Sequence, residues 1–467
     1  MKLKKLLPTL FIWTGILFWS CNGDDDQPFA PGVRLSAPMD TYGEGAGAIE
    51  VTFTATGAFD RDVVLTYEIT GSAVPGEDYQ APAGSVTLGA GALTVTERLV
   101  LLDNDEVQPD RELLITLTAV DGGTDFIGSP SSLTLTLTDD DSFPYEDGIL
   151  VLHEGNFFGG NASVSFVSSD LNTVNNGIFR AVNDRALGDV GQSMAFLGDR
   201  AYIVVNNSQT VEVVNRYSFE SLGTVESGLL NPRHMAFANG RGYLTNWGDG
   251  TDPDDDYVAV IDLESFTVEA TIPVPEGPEK ILADGNTLYV AHQGGFNQNN
   301  IVSVIDAGSN SIQASIPVAD RPNSMQLVGD VLWVLSGGNP AFTGNETAGQ
   351  LDRINTATGA VEATFPFGVT EHPNSLSADG DTLYYQLSGD VYAINTTDTR
   401  LPQAADIPGV SFYGMTVNDG RLYGVDAADF ASNGFLQVYD LSDKTLIQSL
   451  EVSLIPGAVY FNGRFEF

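Results

Sequence analysis

An all-β chain, a β-sandwich followed by a seven-bladed β-propeller, is what this sequence predicts, on three observations. Aromatic residues make up 10% of the 467 residues and stand mostly beside Val, Leu and Thr, a pairing that favours strands. Short runs of period-two alternation such as "IEVTFTATG", "VVLTYEIT" and "ELLITLTAV" fill residues 33–141, the pattern of half-buried strands. Beyond residue 148 the chain repeats itself at intervals of roughly 40–50 residues: "PNSMQLVGDVLWVLSGGN" from Pro322 returns as "PNSLSADGDTLYYQLSGD" from Pro373. The length calls for more than one core.

Residues 1–20 read as a targeting segment. Lys2, Lys4 and Lys5 precede an apolar run over residues 6–20, which is too short to span a bilayer comfortably. Cys21 is the only cysteine, so no disulfide forms within the chain. With Ser20 before it, Cys21 resembles the lipid-modified first residue of a mature bacterial lipoprotein. Residues 21–32 form an acidic tether, and its Asn22-Gly23-Asp24-Asp25-Asp26 resembles the surface-export signal of Bacteroidota lipoproteins. The resemblance implies a protein lipid-anchored to the outer membrane and displayed outside. An incidental cysteine and a plain solvated linker are the alternatives. The formal net charge of −42 would repel a phosphate backbone, so nucleic acid is excluded as an expected partner.

In residues 33–141 the signals "EGAGAIEVTF", "PGEDYQAPAGSVTLGAG", "LLDNDEVQPDRELLITL" and "LTLTDDD" come in order. Together they resemble the Calx-beta domain. The resemblance implies calcium held at one end of the sandwich by Glu44, Asp78, Asp103, Asp139, Asp140 and Asp141, since calcium needs about six to eight oxygen ligands. Gln108 and Arg111 stand where further acidic positions are usual, which lowers the local negative charge. A spacer sandwich without metal is the alternative. Residues 142–148, with Pro144 and Gly148, form a short junction.

Residues 149–467 carry the repeat. A turn at Gly198, Gly240, Gly285, Gly329, Gly380, Gly420 and Gly463 is followed each time by an aromatic strand. Each unit then holds a hairpin such as "VAVIDLESFTVEATI" or "VSVIDAGSNSIQASI", in which Asp or Asn ends a strand and a polar turn follows. Two hairpins per unit make a four-stranded blade. The count is seven if the final "PGAVYFNGRFEF" pairs with the first segment, "ILVLHEGNFFGGNASVSFV"; eight is the alternative. Such closure removes the long open edge between first and last blades. The motifs resemble the YncE-like propellers. The opening segment is similar, more narrowly, to surface lipoproteins of Bacteroidota that sit over an outer-membrane transporter, one group of which captures corrinoids.

Strand order in a blade places the inter-blade links and the mid-blade loops on one face. The links hold Gln192-Ser193, Arg233-His234, Glu279-Lys280, Asn323-Ser324 and Asn374-Ser375, each leading into an innermost strand. The loops pair Phe, Trp and His with Asn, Gln and Gly, a chemistry of low-entropy contact area and adaptable hydrogen bonds. The expected ligand set is His153, Asn156, Phe157, Asn206, Arg233, His234, Trp247, His292, Phe296, Asn323, Asn374 and Tyr413. Rim packing and local turn bonding are the bland readings of these aromatics and amides. The four histidines, His153, His234, His292 and His372, lack metal-ligand spacing. Residues 249–257, "DGTDPDDDY", read equally as a calcium loop or a solvated acidic one.

Neither a G-x-S-x-G elbow, an HExxH helix, a Walker loop nor a dinucleotide fingerprint stands in a fitting context. The expectation is therefore a non-enzymatic protein that binds a small nutrient molecule. The narrower resemblance implies a corrinoid such as cobalamin and a TonB-dependent outer-membrane receptor as partner. An adhesion or glycan-binding module and a propeller hydrolase are the alternatives.

Overall fold

A computed structural model describes residues 32–466 apart from Phe296 and Ser411. The targeting segment, Cys21 and the acidic tether as far as residue 31 lie outside the described residues, and so does Phe296. The chain divides into two compact units, one ending at Asp141 and the other Ser142–Glu466.

The first unit is a β-sandwich. Its smaller sheet runs in the order Val33–Ser36, Ala48–Ala55, Thr94–Val100; its larger runs Thr41–Gly43, Ser132–Thr138, Arg111–Val120, Val63–Gly71, Ser85–Leu88. The predicted alternation is realised in Val63–Gly71, where Val63, Leu65 and Tyr67 are buried and Val64, Thr66 and Glu68 are exposed. Phe53, from the smaller sheet, meets Tyr67, from the larger, with ring centroids 5.4 Å apart in one continuous core. Truncating Phe53 to Ala would cost about 3–5 kcal/mol.

The short strand Thr41–Gly43 pairs in parallel with Ser132–Thr138, setting Gly43 opposite Thr138. One residue further on, this register places Glu44 beside Asp139. Ala48 opposite Val100 brings the segment through Asp103 to the same end. Three strand ends thus converge, which is how the chain gathers its carboxylates.

The second unit holds seven radially repeated sheets, and the predicted propeller with its seven blades is realised. Blades two to five are four consecutive antiparallel strands each, beginning at Gly191, Pro232, Pro278 and Pro322. Blade six is three-stranded, Asn374–Asp379, Thr382–Leu387 and Asp390–Asn395, with a single bridge from Val391 to Ile407 in the fourth place. Blade seven spans Gly414–Asn418, Arg421–Asp426, Asn433–Asp440 and Leu446–Leu454.

Blade one is completed from the C-terminus. Pro456–Asn462 is its innermost strand, antiparallel to Gly148–His153 with Pro456 opposite His153 and Asn462 opposite Gly148. Asn462 donates from Nδ2 to the Tyr145 and Arg216 carbonyls at 2.6 and 2.8 Å and accepts from Arg216 Nε at 2.5 Å.

Second strands such as Arg200–Val205 are buried on both faces, whereas outer strands such as Thr267–Pro273 are largely exposed. A short helix, Ile178–Asn183, which the β-pattern did not foretell, packs against the Ser163–Ser168 strand of blade one with buried Ile178 and Phe179.

Candidate binding site at the propeller channel

The innermost strands begin with a recurring distortion. Val190, Asn231, Gly277, Arg321 and Ile455 adopt left-handed φ values of 50 to 70° just before blades two to five and the closing strand. A break in pairing register follows, at Gly191/Ser193, Pro232/Met235, Pro278/Ile281, Pro322/Ser324, Asn374/Ser377 and Pro456/Ala458. Bulges re-aim side chains and sharpen twist. Left-handed backbone at branched Val190 and Ile455 is costly, on the order of 1–3 kcal/mol each, and persists here where it shapes the mouth of the channel.

The bulged segments, together with the start of blade seven, enclose a cavity of about 700 Å³ on the axis. Ser193, His234, Lys280, Asn323, Asn374 and Tyr413 line it from six different blades. Two glycines make the ring this tight. A Cβ on Gly414 would lie 2.2 Å from the Gly457 carbonyl, and one on Gly191 would lie 2.6 Å from the His153 carbonyl.

Beside the cavity, Arg233 donates to both carboxylate oxygens of Glu279, at 2.8 and 3.0 Å. Its guanidinium lies 4.1 Å above the centre of the Trp247 ring. His234 Nε2 is 3.3 Å from Glu279 Oε1. Burial pushes the Glu279 carboxyl upward, but Arg233 and His234 outweigh it and hold it well below the usual range. Burial, reinforced by Lys280, pulls His234 down to about 4, so it is a neutral imidazole at pH 7. Trp247 Nε1 is buried without a hydrogen-bond partner among the described residues.

Across the mouth, Tyr413 donates to Glu154 at 3.0 Å. Burial and then Glu154 push the phenol upward, and burial raises Glu154 against the opposing pull of Tyr413 and Arg233. The Tyr413 ring meets Phe430 edge-on at 5.3 Å, and Asn156 Nδ2 reaches the Phe430 carbonyl at 3.4 Å. Phe157 packs on Phe158 at 4.3 Å, and Phe158 is 80% exposed.

The expected ligand residues therefore fall into three groups. Arg233, His234 and Trp247 come together, as do Asn156 and Tyr413, while Asn323 and Asn374 share the cavity wall. Phe157 stands out in solvent beside Asn156.

Three expectations need correction. His153 is fully buried with Nε2 2.8 Å from Ser165 Oγ, and burial holds it near 3. His292 is fully buried, donates from Nδ1 to the Pro275 carbonyl at 2.8 Å and accepts at Nε2 from Ser303. Asn206 is buried and donates to the Pro232 carbonyl at 3.1 Å. Each ends or just follows a second strand, the two histidines bonding within their own blades and Asn206 bonding the start of the next blade, and none of the three lines the cavity.

Glu154, Glu279 and Lys280 were missing from the expected set. Glu279-Lys280 follows Pro278 just as Arg233-His234 follows Pro232, so the repeat itself carried the signal.

In the sandwich, Glu44, Asp103 and Asp140 form one group and Glu44, Asp139 and Asp141 another, with the ligand atoms of each within 4.8 Å of one another. Either group could hold a metal ion. Burial, then Asp139 and Asp141, push Glu44 up to about 7. With the three carboxylates ionised, Glu44 Oε1, Asp139 Oδ1 and Asp141 Oδ2 are buried with no hydrogen-bond donor among the described residues, the condition of oxygens arranged for a cation. Gln108 fills its acidic position differently: its Nε2 donates to Glu44 at 3.1 Å and its backbone N–H to Asp139 at 2.9 Å.

Asp78 is a correction, because it stands in neither group. Its Oδ2 instead accepts from the Val74 N–H at 2.6 Å and lies 4.0 Å from Arg111 Nε.

A two-domain all-β protein, a carboxylate-bearing sandwich joined in sequence to a propeller with a polar axial cavity, is the class that these features define. The chain belongs to the family described as a domain of unknown function, DUF5074, whose profile matches residues 147–449. The Calx-beta domain profile matches residues 25–141.

Among solved structures, BamB from Moraxella catarrhalis is similar at 14% identity and a TM-score of 0.43, covering 67% of this chain and 85% of that one. A functionally unknown protein from Desulfotomaculum acetoxidans is similar at 12% identity and a TM-score of 0.48, covering 68% and 99%. The apo Calx CBD1 domain is similar at 24% identity and a TM-score of 0.21, covering 24% and 99%. No curated protein matches the chain.

Proposed function

We propose that this protein is a non-enzymatic, lipid-anchored surface protein whose propeller captures a nutrient molecule, a corrinoid such as cobalamin, and passes it to a TonB-dependent outer-membrane transporter. The observation that carries the binding role is the axial cavity of about 700 Å³, a volume within the usual range for small-molecule sites. Amides and hydroxyls line it, and Tyr413, Trp247 and the Arg233–Glu279 pair stand at its side. The Arg233–Trp247 stack presents a flat, pre-ordered surface beside it,. The corrinoid, the transporter and the outer-membrane address rest on the sequence resemblance. Calcium bound by Glu44 with Asp103 and Asp140, or with Asp139 and Asp141, would neutralise the carboxylates and fix that end of the sandwich.

Calorimetry of the full chain with cobalamin and cobinamide tests the reading. Saturable heat with either, reduced by Trp247→Ala, is the expected result, and no heat with either removes the corrinoid. A second reading, docking of a protein or glycan on the loops, is favoured by Phe158 and Phe342, which are 80% and 85% exposed. A glycan array and pull-down from membranes separate the two.

A further inference from the structure

The chain carries 62 acidic residues, yet among the described residues none of those lining the axial cavity is Asp or Glu. The cavity is lined instead by Lys280 and the neutral His234, with amides, hydroxyls and apolar side chains such as Met325 and Leu376 around them. Lysine is scarce: beyond residue 5 the chain has only Lys280 and Lys444. Lys444 is paired with Asp406 at 2.5 Å. Lys280, half-buried in the channel, has neither a hydrogen bond nor an ion pair among the described residues.

The neighbouring carboxylate does not neutralise it, because Glu279 is already held on both oxygens by Arg233 and approached by His234. Burial accordingly pulls the Lys280 amine down, with Glu279 only opposing that effect. A desolvated, unpaired ammonium is costly unless a counter-charge arrives. A donor lines the same cavity two blades further round the ring. Asn374 Oδ1 accepts from Ser375 Oγ at 2.9 Å, while Asn374 Nδ2 makes no bond among the described residues.

We infer that the channel contains an anion subsite in which Lys280 and Asn374 hold one oxyanion, a phosphate or a carboxylate, carried by the ligand of the propeller. The inference rests on the reading that this cavity receives a small molecule, and it adds what that molecule must bear. Lys280 is the cationic side chain among the residues that line the cavity, while Glu279 is paired with Arg233 and Glu154 is held at the mouth by Tyr413, which suits a singly charged group. Three ammonium donors and an amide match the lone pairs of such an oxyanion. The strongly acidic remainder of the protein weakens the binding of free anions without abolishing it, so the subsite favours an anion attached to a body that also fills the cavity.

The test uses the full chain with inorganic phosphate and acetate as separate probes, followed by 31P line broadening and by saturation-transfer proton spectra. Saturable binding of at least one probe is expected, weakened at least ~10-fold by Lys280→Gln, the scale of one charge-assisted contact. Lys280→Arg keeps binding, and so does Lys444→Gln. Binding of phosphate alone identifies a phosphoryl group, and binding of both identifies a general oxyanion site.

Absence of saturable binding of either probe overturns the subsite, as does binding that Lys280→Gln leaves unchanged while melting as the parent does. Cobinamide lacks the phosphodiester of cobalamin, so cobalamin weakened by Lys280→Gln with cobinamide unaffected supports the same conclusion. Phosphate or acetate binding without any corrinoid binding sinks only the corrinoid. Corrinoid binding without either anion sinks only the subsite.

Discussion

Arg233 and Glu279 form a two-pronged ion pair across the seam between blades three and four, with both nitrogen–oxygen distances at or below 3.0 Å. Both side chains are largely shielded, and Trp247 covers the guanidinium on one side. Removing one partner strands a buried charge, whereas removing both does not. Glu279→Gln is therefore expected to destabilise the propeller by about 3–5 kcal/mol, and Arg233→Met with Glu279→Leu by clearly less. Urea unfolding of the three proteins checks this. The sign with pH also follows: the folded-state carboxyl of Glu279 is depressed, so its contribution is present above the ordinary carboxylate range and is lost as pH falls through the folded value.

His153 and His292 remain neutral well into acid. Burial holds His153 near 3 and His292 near 4, against an ordinary 6.5. The unfolded chain takes up a proton near 6.5 and the folded chain does not, so each histidine lowers stability as pH falls from 6.5 toward its folded value, by at most about 1.4 kcal/mol per pH unit. Asp256 and Asp352, pushed up by burial to about 7 and about 6, act with the opposite sign over much of the same window. The histidine effect is thus read as a difference: a His292→Gln chain loses less stability than the parent between pH 6.5 and 4. Nitrogen spectra of labelled histidine should still show His153 and His292 uncharged at pH 5.

The blades were legible because each repeats a Gly turn before an aromatic strand, and the closing strand because it had no other strand to join. Side-chain direction at strand ends was not. His153 and His292 each precede a glycine-rich loop, "HEGN" and "HQGG", and read as loop residues. In the structure they are the last residues of Gly148–His153 and Thr287–His292, and one residue of register decides which face a side chain takes. Bulges hid Lys280 in the same way, since a strict alternation does not reveal which of two adjacent residues turns to the axis. Asp78 could not be told from a ligand until the Val74 N–H claimed its oxygen. The acidic clusters were fully visible as composition, but the crowding that raises Glu44 required the parallel register of Gly43 with Thr138.

Calcium should raise the melting temperature of the sandwich, and acid should weaken its binding. Glu44 is pushed up to about 7 by burial and by its acidic neighbours, so below that value a proton competes with the metal at a group the cation needs ionised. In the metal-free protein the sign is reversed: a raised carboxyl pKa makes the folded state bind more protons, so the Glu44 contribution stabilises as pH falls from about 7 toward 4.5,. Calorimetric melts of the full chain at pH 8 and pH 6, with calcium and with chelator, should show the larger calcium shift at pH 8. Glu44→Gln should abolish most of that shift. A shift that is equal at both pH values removes Glu44 from the site.

Closure of the ring gives the last prediction. Asn462 satisfies three partners at once, the Tyr145 and Arg216 carbonyls and the Arg216 side chain, from a buried position at the end of the closing strand. Arg216 in turn lies 3.9 Å over the Phe196 ring of blade two and donates to the Phe461 carbonyl at 3.0 Å. The side chain of Asn462 therefore ties blade one, blade two and the C-terminal strand together, and Asn462→Ala leaves two carbonyls and the Arg216 Nε–H without this partner. A loss of about 2–4 kcal/mol is expected from several unsatisfied buried groups. Because an unzipped strand exposes an edge along the whole of Gly148–His153, that loss should appear first as local opening. Amide exchange in Gly148–His153 and Pro456–Asn462 should accelerate in the variant well before the strands of blade four respond, and uniform acceleration across all blades would show that the ring opens only with global unfolding.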